Sequence, residues 1–149
     1  MNKVFIILVF TVGINATAQI ATYQTDNSGT NASAIGYQTS ATNTASTAIG
    51  NNSTASGVTS TAMGRETLAS GVSSTAMGYQ TKATNTAATA MGDNSTASGV
   101  TSTAIGDNST ASGETSIAMG FETEATYSAS IAMGYQTSWQ LFPIDSMQG

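Results

Sequence analysis

The side chains able to do chemistry are few and poorly grouped. The chain has no histidine and no cysteine, which removes the commonest general base, the commonest metal ligand and every thiolate. That leaves carboxylates. Glu122 and Glu124 are the closest pair in sequence, and on one strand two residues apart they face the same way. No other titratable group lies near them, so they read as solvated surface charges. Asp93 and Asp107 fall fourteen residues apart in matching contexts. A calcium ion between them needs about 6–8 oxygen ligands, and the Gly-Gly-x-Gly-x-Asp calcium repeat is absent. No catalytic residue, cofactor or metal site is expected. The remaining candidates are contact residues: Tyr37, Tyr79 and Tyr135, each opening a similar stretch, and the threonines Thr61, Thr75 and Thr103. Tyrosine is favoured at recognition surfaces, although a ring that merely covers a neighbouring turn accounts for the same spacing.

The elements that carry these residues must be unusual, because bulky apolar residues are scarce. Leucine occurs only at Leu8, Leu68 and Leu141, and much of the 40% hydrophobic content is alanine and methionine. Low bulky-apolar content often marks disorder, but disorder usually brings high charge or many prolines. Here 7% of residues are charged and Pro143 is the single proline. The formal net charge is -5, and no Lys/Arg cluster exists to neutralise phosphates, which argues against a nucleic-acid partner.

Residues 1–18 read as a secretory signal peptide. Lys3 supplies a positive start, Val4 to Gly13 is an apolar run, and Ala16-Thr17-Ala18 is a small-residue cleavage pattern. The run falls short of the roughly 20 apolar residues that a spanning helix needs. No transmembrane segment is expected in the mature chain, which carries Lys82 and Arg65 against eight acidic residues.

From Tyr23 the chain divides into eight consecutive fourteen-residue units ending at Gly36, Gly50, Gly64, Gly78, Gly92, Gly106, Gly120 and Gly134. No insertion or deletion breaks the count. Position twelve of each unit is alanine, position thirteen is isoleucine or methionine, and position three is threonine or serine. Position five is alanine in all units but the first, where Asn27 stands, and position seven is glycine or asparagine except at Tyr127.

Fourteen residues accommodate two strands of about five residues and two tight turns, not two helices. Gly and Asn at positions seven and fourteen tolerate left-handed backbone and are expected at the two corners. Thr, Ile and Val between them suit strands, while a Gly or Asn every seven residues disfavours helix. The spacing predicts an all-β, parallel β-solenoid in which each unit is one coil. Coils rising about 4.8 Å each give a rod of roughly 38 Å, with identical positions stacked into columns. The interior is thin and favours Ala, Ser and Thr, so a second layer or an oligomeric interface is expected, with the Ile/Met column as its apolar seam.

The pentapeptides Ala32-Ser33-Ala34-Ile35-Gly36, Ser46-Thr47-Ala48-Ile49-Gly50, Ser102-Thr103-Ala104-Ile105-Gly106 and Ser130-Ile131-Ala132-Met133-Gly134, with the intervening "NSTASG" at Asn94 and Asn108, resemble the head repeats of the YadA-like trimeric autotransporter adhesins. The resemblance covers about 110 of the 149 residues. It implies a left-handed parallel β-roll, a homotrimer, and a non-enzymatic head at the outer cell surface or secreted. Such heads mediate cell adhesion and virulence by attaching to extracellular matrix, cells or environmental surfaces. Threonine replaces the family's usual valine before alanine in five units, and the family's stalk and β-barrel anchor have no counterpart here.

The head-like repeat domain is thus expected over 19–134. Residues 135–149 start a ninth unit with Tyr135-Gln136-Thr137-Ser138, then depart from the pattern at Trp139. Two readings of that tail stand: a cap over the last coil, or the end of a truncated reading frame. A functional alternative of another class is a solenoid that binds ice, polysaccharide or a crystal surface. Thr47, Thr61, Thr75, Thr89 and Thr103 form one rank for it, and position nine supplies a broken second rank at Thr59, Thr101 and Thr115.

Overall fold

The computed structural model describes residues 23–138; the expected signal peptide and the tail from Trp139 lie outside them. Each coil after the first contributes one two-residue and one five-residue strand; the first contributes a five-residue strand and a single bridge at Asp26. The long strands are β1 (Ser33–Tyr37), β3 (Thr47–Asn51), β5 (Thr61–Arg65), β7 (Thr75–Tyr79), β9 (Thr89–Asp93), β11 (Thr103–Asp107), β13 (Ile117–Phe121) and β15 (Ile131–Tyr135). The short ones are β2 (Ser40–Ala41), β4 (Thr54–Ala55), β6 (Leu68–Ala69), β8 (Lys82–Ala83), β10 (Thr96–Ala97), β12 (Thr110–Ala111) and β14 (Glu124–Ala125). The long strands form one eight-stranded parallel sheet in chain order and the short strands a seven-stranded one. The fold is therefore an all-β solenoid of fourteen-residue coils.

Register follows the repeat without a slip. Ala34 pairs with Ala48, Met63 with Met77, Gly78 with Gly92 and Ala104 with Ala118. Because side chains alternate along a strand, a shift of one residue would turn every inward alanine outward. The unbroken count of fourteen prevents it.

Four columns point inward. Alanines at positions five and twelve, from Ala41 to Ala132, are essentially inaccessible. So are the Ser/Thr column at position three from Thr39 to Thr123 and the Ser/Ala column at position ten from Ala32 to Ser116, while Thr25 and Ser130 at the ends are half-buried. Among the described residues the largest fully buried side chain is threonine. Backbone hydrogen bonding between coils, each bond contributing about 1 kcal/mol net, carries what a bulky core carries elsewhere.

The corners differ from the expectation. The position-fourteen glycines lie inside the long strands with φ of 117–133°. Left-handed φ angles of 49–58° occur at positions two and nine, as at Gln38, Asn52, Glu66, Thr101 and Ala129, and not at position seven. A physical reason lies in the hydrogen bonds. At these two positions the N–H donates back to the preceding coil, as in Asn52 N–H to Tyr37 O (2.8 Å) and Thr101 N–H to Thr86 O (2.9 Å). Two residues later it donates forward, as in Thr54 N–H to Thr67 O (2.8 Å) and Thr103 N–H to Ser116 O (2.9 Å). The corner residue thus bends the chain while staying in the ladder.

Glycine is needed for space. A Cβ at Gly57 (position seven) would sit 1.9 Å from the carbonyl oxygen of Gly71 in the next coil. At position fourteen, Gly78 combines such a clash, 2.0 Å from Gly92 O, with φ of 124°. The second strand of the coil is also shorter than expected, because the turn through positions six to nine begins right after the inward alanine at position five.

Candidate interaction surfaces

Along each long strand, position twelve points inward, so positions eleven and thirteen share the outer face. Position eleven is a threonine ladder over β3 to β11, containing Thr61, Thr75 and Thr103, all half-buried. It ends in Ile117 and Ile131. Beside it runs the Ile/Met ladder: Ile35, Ile49, Met63, Met77, Met91, Ile105 and Met119 are half-buried, and Met133 on the last described strand is 59% exposed. The seam expected from the repeat therefore lies on the outside of the coil, not in its interior. The position-nine threonines do not provide a second rank on this face. They sit at the left-handed corner, with Thr59, Thr101 and Thr115 at φ of 54–55°, and the threonine ladder's true neighbour on its own face is apolar.

The aromatic column at position one is engaged within the chain. Tyr37 stacks on Tyr23, ring centroids 5.6 Å apart and planes 10° from parallel. Tyr135 stacks on Phe121 at 5.1 Å and 9°. The Arg65 guanidinium lies over the Tyr79 ring at 5.0 Å. Each contact is worth roughly 0.5–1.5 kcal/mol, and each occupies a ring face that a ligand would otherwise stack on. Tyr23 and Tyr135 remain the most open, at 67% and 70% exposure.

Next to this column, position two forms a corner ladder that composition alone did not reveal. Gln80 Nε2 donates to Glu66 Oε2 (2.7 Å), Gln136 Nε2 to Glu122 Oε2 (2.8 Å), and Asn94 Nδ2 to Asn108 Oδ1 (2.6 Å). The signal for it was present, since every unit carries Gln, Asn or Glu there. The Gln80 amide holds the Glu66 carboxyl below the usual carboxylate range; a smaller desolvation opposes this, and Arg65 adds a hydrogen bond and its charge.

Of the two carboxylate pairs, one is parted and one is kept together. Glu122 sits at a left-handed corner with φ of 51° and Glu124 in β14, so they do not share a strand as the spacing predicted. Asp93 and Asp107 are register partners on β9 and β11, and Asp107 Oδ1 accepts from Asn108 Nδ2 (2.8 Å). Among the described residues no three His, Cys, Asp or Glu side chains gather as a metal-binding group, and no helix is long and apolar enough to cross a membrane.

What this surface offers is contact, repeated once per coil: an apolar-threonine face on one side, and a ridge of aromatics, amides and carboxylates along a corner. No match is found among curated proteins. The chain does match the family described as YadA head domain repeat (2 copies), over residues 28–53, 41–67, 55–81, 69–95 and 97–123. The first four matches overlap, each starting about one coil after the last. Motif, register and coil length agree, and the chain belongs to the YadA head repeat family, whose β-solenoid is an adhesin-type structural head and not an enzyme fold.

Proposed function

We propose that this chain is a secreted or surface-exposed adhesin head module that works as a homotrimer and attaches its bearer to host or environmental surfaces. The observation that carries the reading is the outer face of the long sheet. A coil whose interior holds nothing larger than threonine displays an unbroken ladder of isoleucine and methionine outside. An apolar stripe this regular, on a fold with so little buried apolar surface, is what a second copy of the same chain would cover, and family membership supports three copies.

With that face directed at its neighbours, the position-one and position-two corner and the short-strand sheet remain for ligands. Tyr37, Tyr79 and Tyr135 are proposed as ligand-facing edges of the stacked column, and Thr61, Thr75 and Thr103 as packing partners of the apolar seam. The acidic balance directs the head away from nucleic acid. Retention of the folded chain on immobilised matrix proteins, intact cells and mineral or polysaccharide surfaces tests the attachment role. Saturable retention on one of them is expected, reduced when Tyr37 and Tyr135 are replaced by serine. A folded, assembled chain retained on none of these surfaces overturns the reading.

A further inference from the structure

Column thirteen is not uniform. It is isoleucine at Ile35, Ile49 and Ile105, and methionine at Met63, Met77, Met91, Met119 and Met133. Three of the methionines fall on consecutive strands: Met63 on β5 pairs with Met77 on β7, which pairs with Met91 on β9. At the coil spacing of about 4.8 Å, they form a continuous stripe of thioethers in the middle of the outer face. All three are half-buried in the single chain, with Thr61, Thr75 and Thr89 flanking them. Isoleucine occupies the same column elsewhere, so neither the coil nor the face requires sulfur.

We propose that Met63, Met77 and Met91 are a modification site for two-electron oxidants of the peroxide class, and that their oxidation blocks assembly through this face. The proposal rests on the trimer reading above. In the reaction the sulfur lone pair attacks one peroxide oxygen and the O–O bond breaks. An S–O bond forms, and the departing hydroxide takes the proton carried by the newly bound oxygen and leaves as water, so the product is the neutral sulfoxide. Sulfur is oxidised by two electrons and peroxide is reduced by two, so no further reactant is needed. The product replaces a flexible apolar group with a strong hydrogen-bond acceptor. Three such acceptors side by side would have to be stripped of water for the copies to meet, and an unmatched buried acceptor is costly. Peroxide meets these sulfurs before the copies associate, or whenever the seam opens. Methionine sulfoxide reductase chemistry would reverse the block.

The test compares the wild-type chain with the triple variant Met63→Ile, Met77→Ile, Met91→Ile under graded hydrogen peroxide. Oxygen uptake is mapped by peptide mass spectrometry and assembly by light scattering. Wild type is expected to gain one oxygen at each of the three positions, to fall threefold in mass and to keep its β circular dichroism, while the isoleucine variant stays assembled. Three results overturn the proposal. One is a wild-type chain that carries all three oxygens and remains assembled. Another is a dose that fully oxidises the open Met133 and leaves the three untouched. The last is an isoleucine variant that dissociates as readily as wild type. An untreated wild-type chain that is already a folded monomer instead refutes the assembly reading itself, so the two failures are told apart before any peroxide is added.

Discussion

Serine and threonine fill the two inward polar columns with different consequences. At position ten the serine hydroxyl donates to the carbonyl three residues back in most coils, as in Ser60 Oγ to Gly57 O (2.8 Å) and Ser102 Oγ to Gly99 O (2.8 Å), fastening the turn from inside. The Ser74 hydroxyl, by contrast, is buried without a partner. At position three, serines reach across to the glycine carbonyl that ends the coil, as in Ser53 Oγ to Gly64 O (2.8 Å). Thr39, Thr67 and Thr81 in that same column bury hydroxyls with no hydrogen-bond partner. An unpartnered buried hydroxyl costs free energy that an isosteric methyl does not. Thr67→Val is therefore expected to stabilise the chain by about 1 kcal/mol, and Ser60→Ala to destabilise it by about 1 kcal/mol, both measured by urea denaturation. Glu66 gives a pH prediction. Its folded pKa is depressed, first by the Gln80 amide, so its contribution to stability is present above the ordinary glutamate pKa and is lost as pH falls through the folded value. Replacing Gln80 with alanine should move the Glu66 titration, followed by carboxyl NMR, upward toward that ordinary value; an unchanged midpoint would refute the assigned cause. Alanine and Ser/Thr invariance made the interior legible in the sequence. The left-handed positions were not legible, because residues as different as Gln38, Glu66, Ala87 and Thr101 adopt them: the inter-coil hydrogen bonds, not the side chain, impose the conformation.

At the scale of the coil, strand and corner lengths are set by backbone contact between neighbouring coils. Glycine spacing marked the corner at position seven but not the other, since the position-fourteen glycines lie inside the long strands and the left-handed residues come two positions after each glycine column. The glycines serve close approach as much as rotation. This separates two substitutions of the same type. Gly78→Ala places a Cβ 2.0 Å from a backbone oxygen of the next coil, whereas at Gly134 the nearest atom is the Thr137 hydroxyl at 3.6 Å. Both bear the strain of a positive φ, of order 1–3 kcal/mol. Gly78→Ala should cost well beyond about 3 kcal/mol and disrupt the stack, and Gly134→Ala should leave a folded chain; thermal melts followed by circular dichroism check the contrast. The corners also offer gains. Thr101 is β-branched at φ of 54°, where asparagine is far better tolerated. Thr101→Asn should raise stability by about 1 kcal/mol, again by urea denaturation.

For the whole molecule, the solenoid architecture was legible because eight units in phase leave few other ways to satisfy the backbone, and the described register follows that phase throughout. The contact residues were less so. Side-chain type marked Tyr37, Tyr79 and Tyr135 as recognition candidates, but only their spatial order shows that the rings stack on Tyr23, beneath Arg65 and on Phe121. In the same way, the threonine rank lost its second row once position nine proved to be a corner, and gained an apolar neighbour at position thirteen. That neighbour carries the central claim, that the outer Ile/Met face is an interface between copies. Light scattering coupled to size exclusion, on residues 19–149 and on the same chain with Met77→Asp, tests it most directly. The account predicts three times the monomer mass for the first, and the monomer mass with unchanged β circular dichroism for the second. A wild-type chain that is folded, β-rich and monomeric would contradict it.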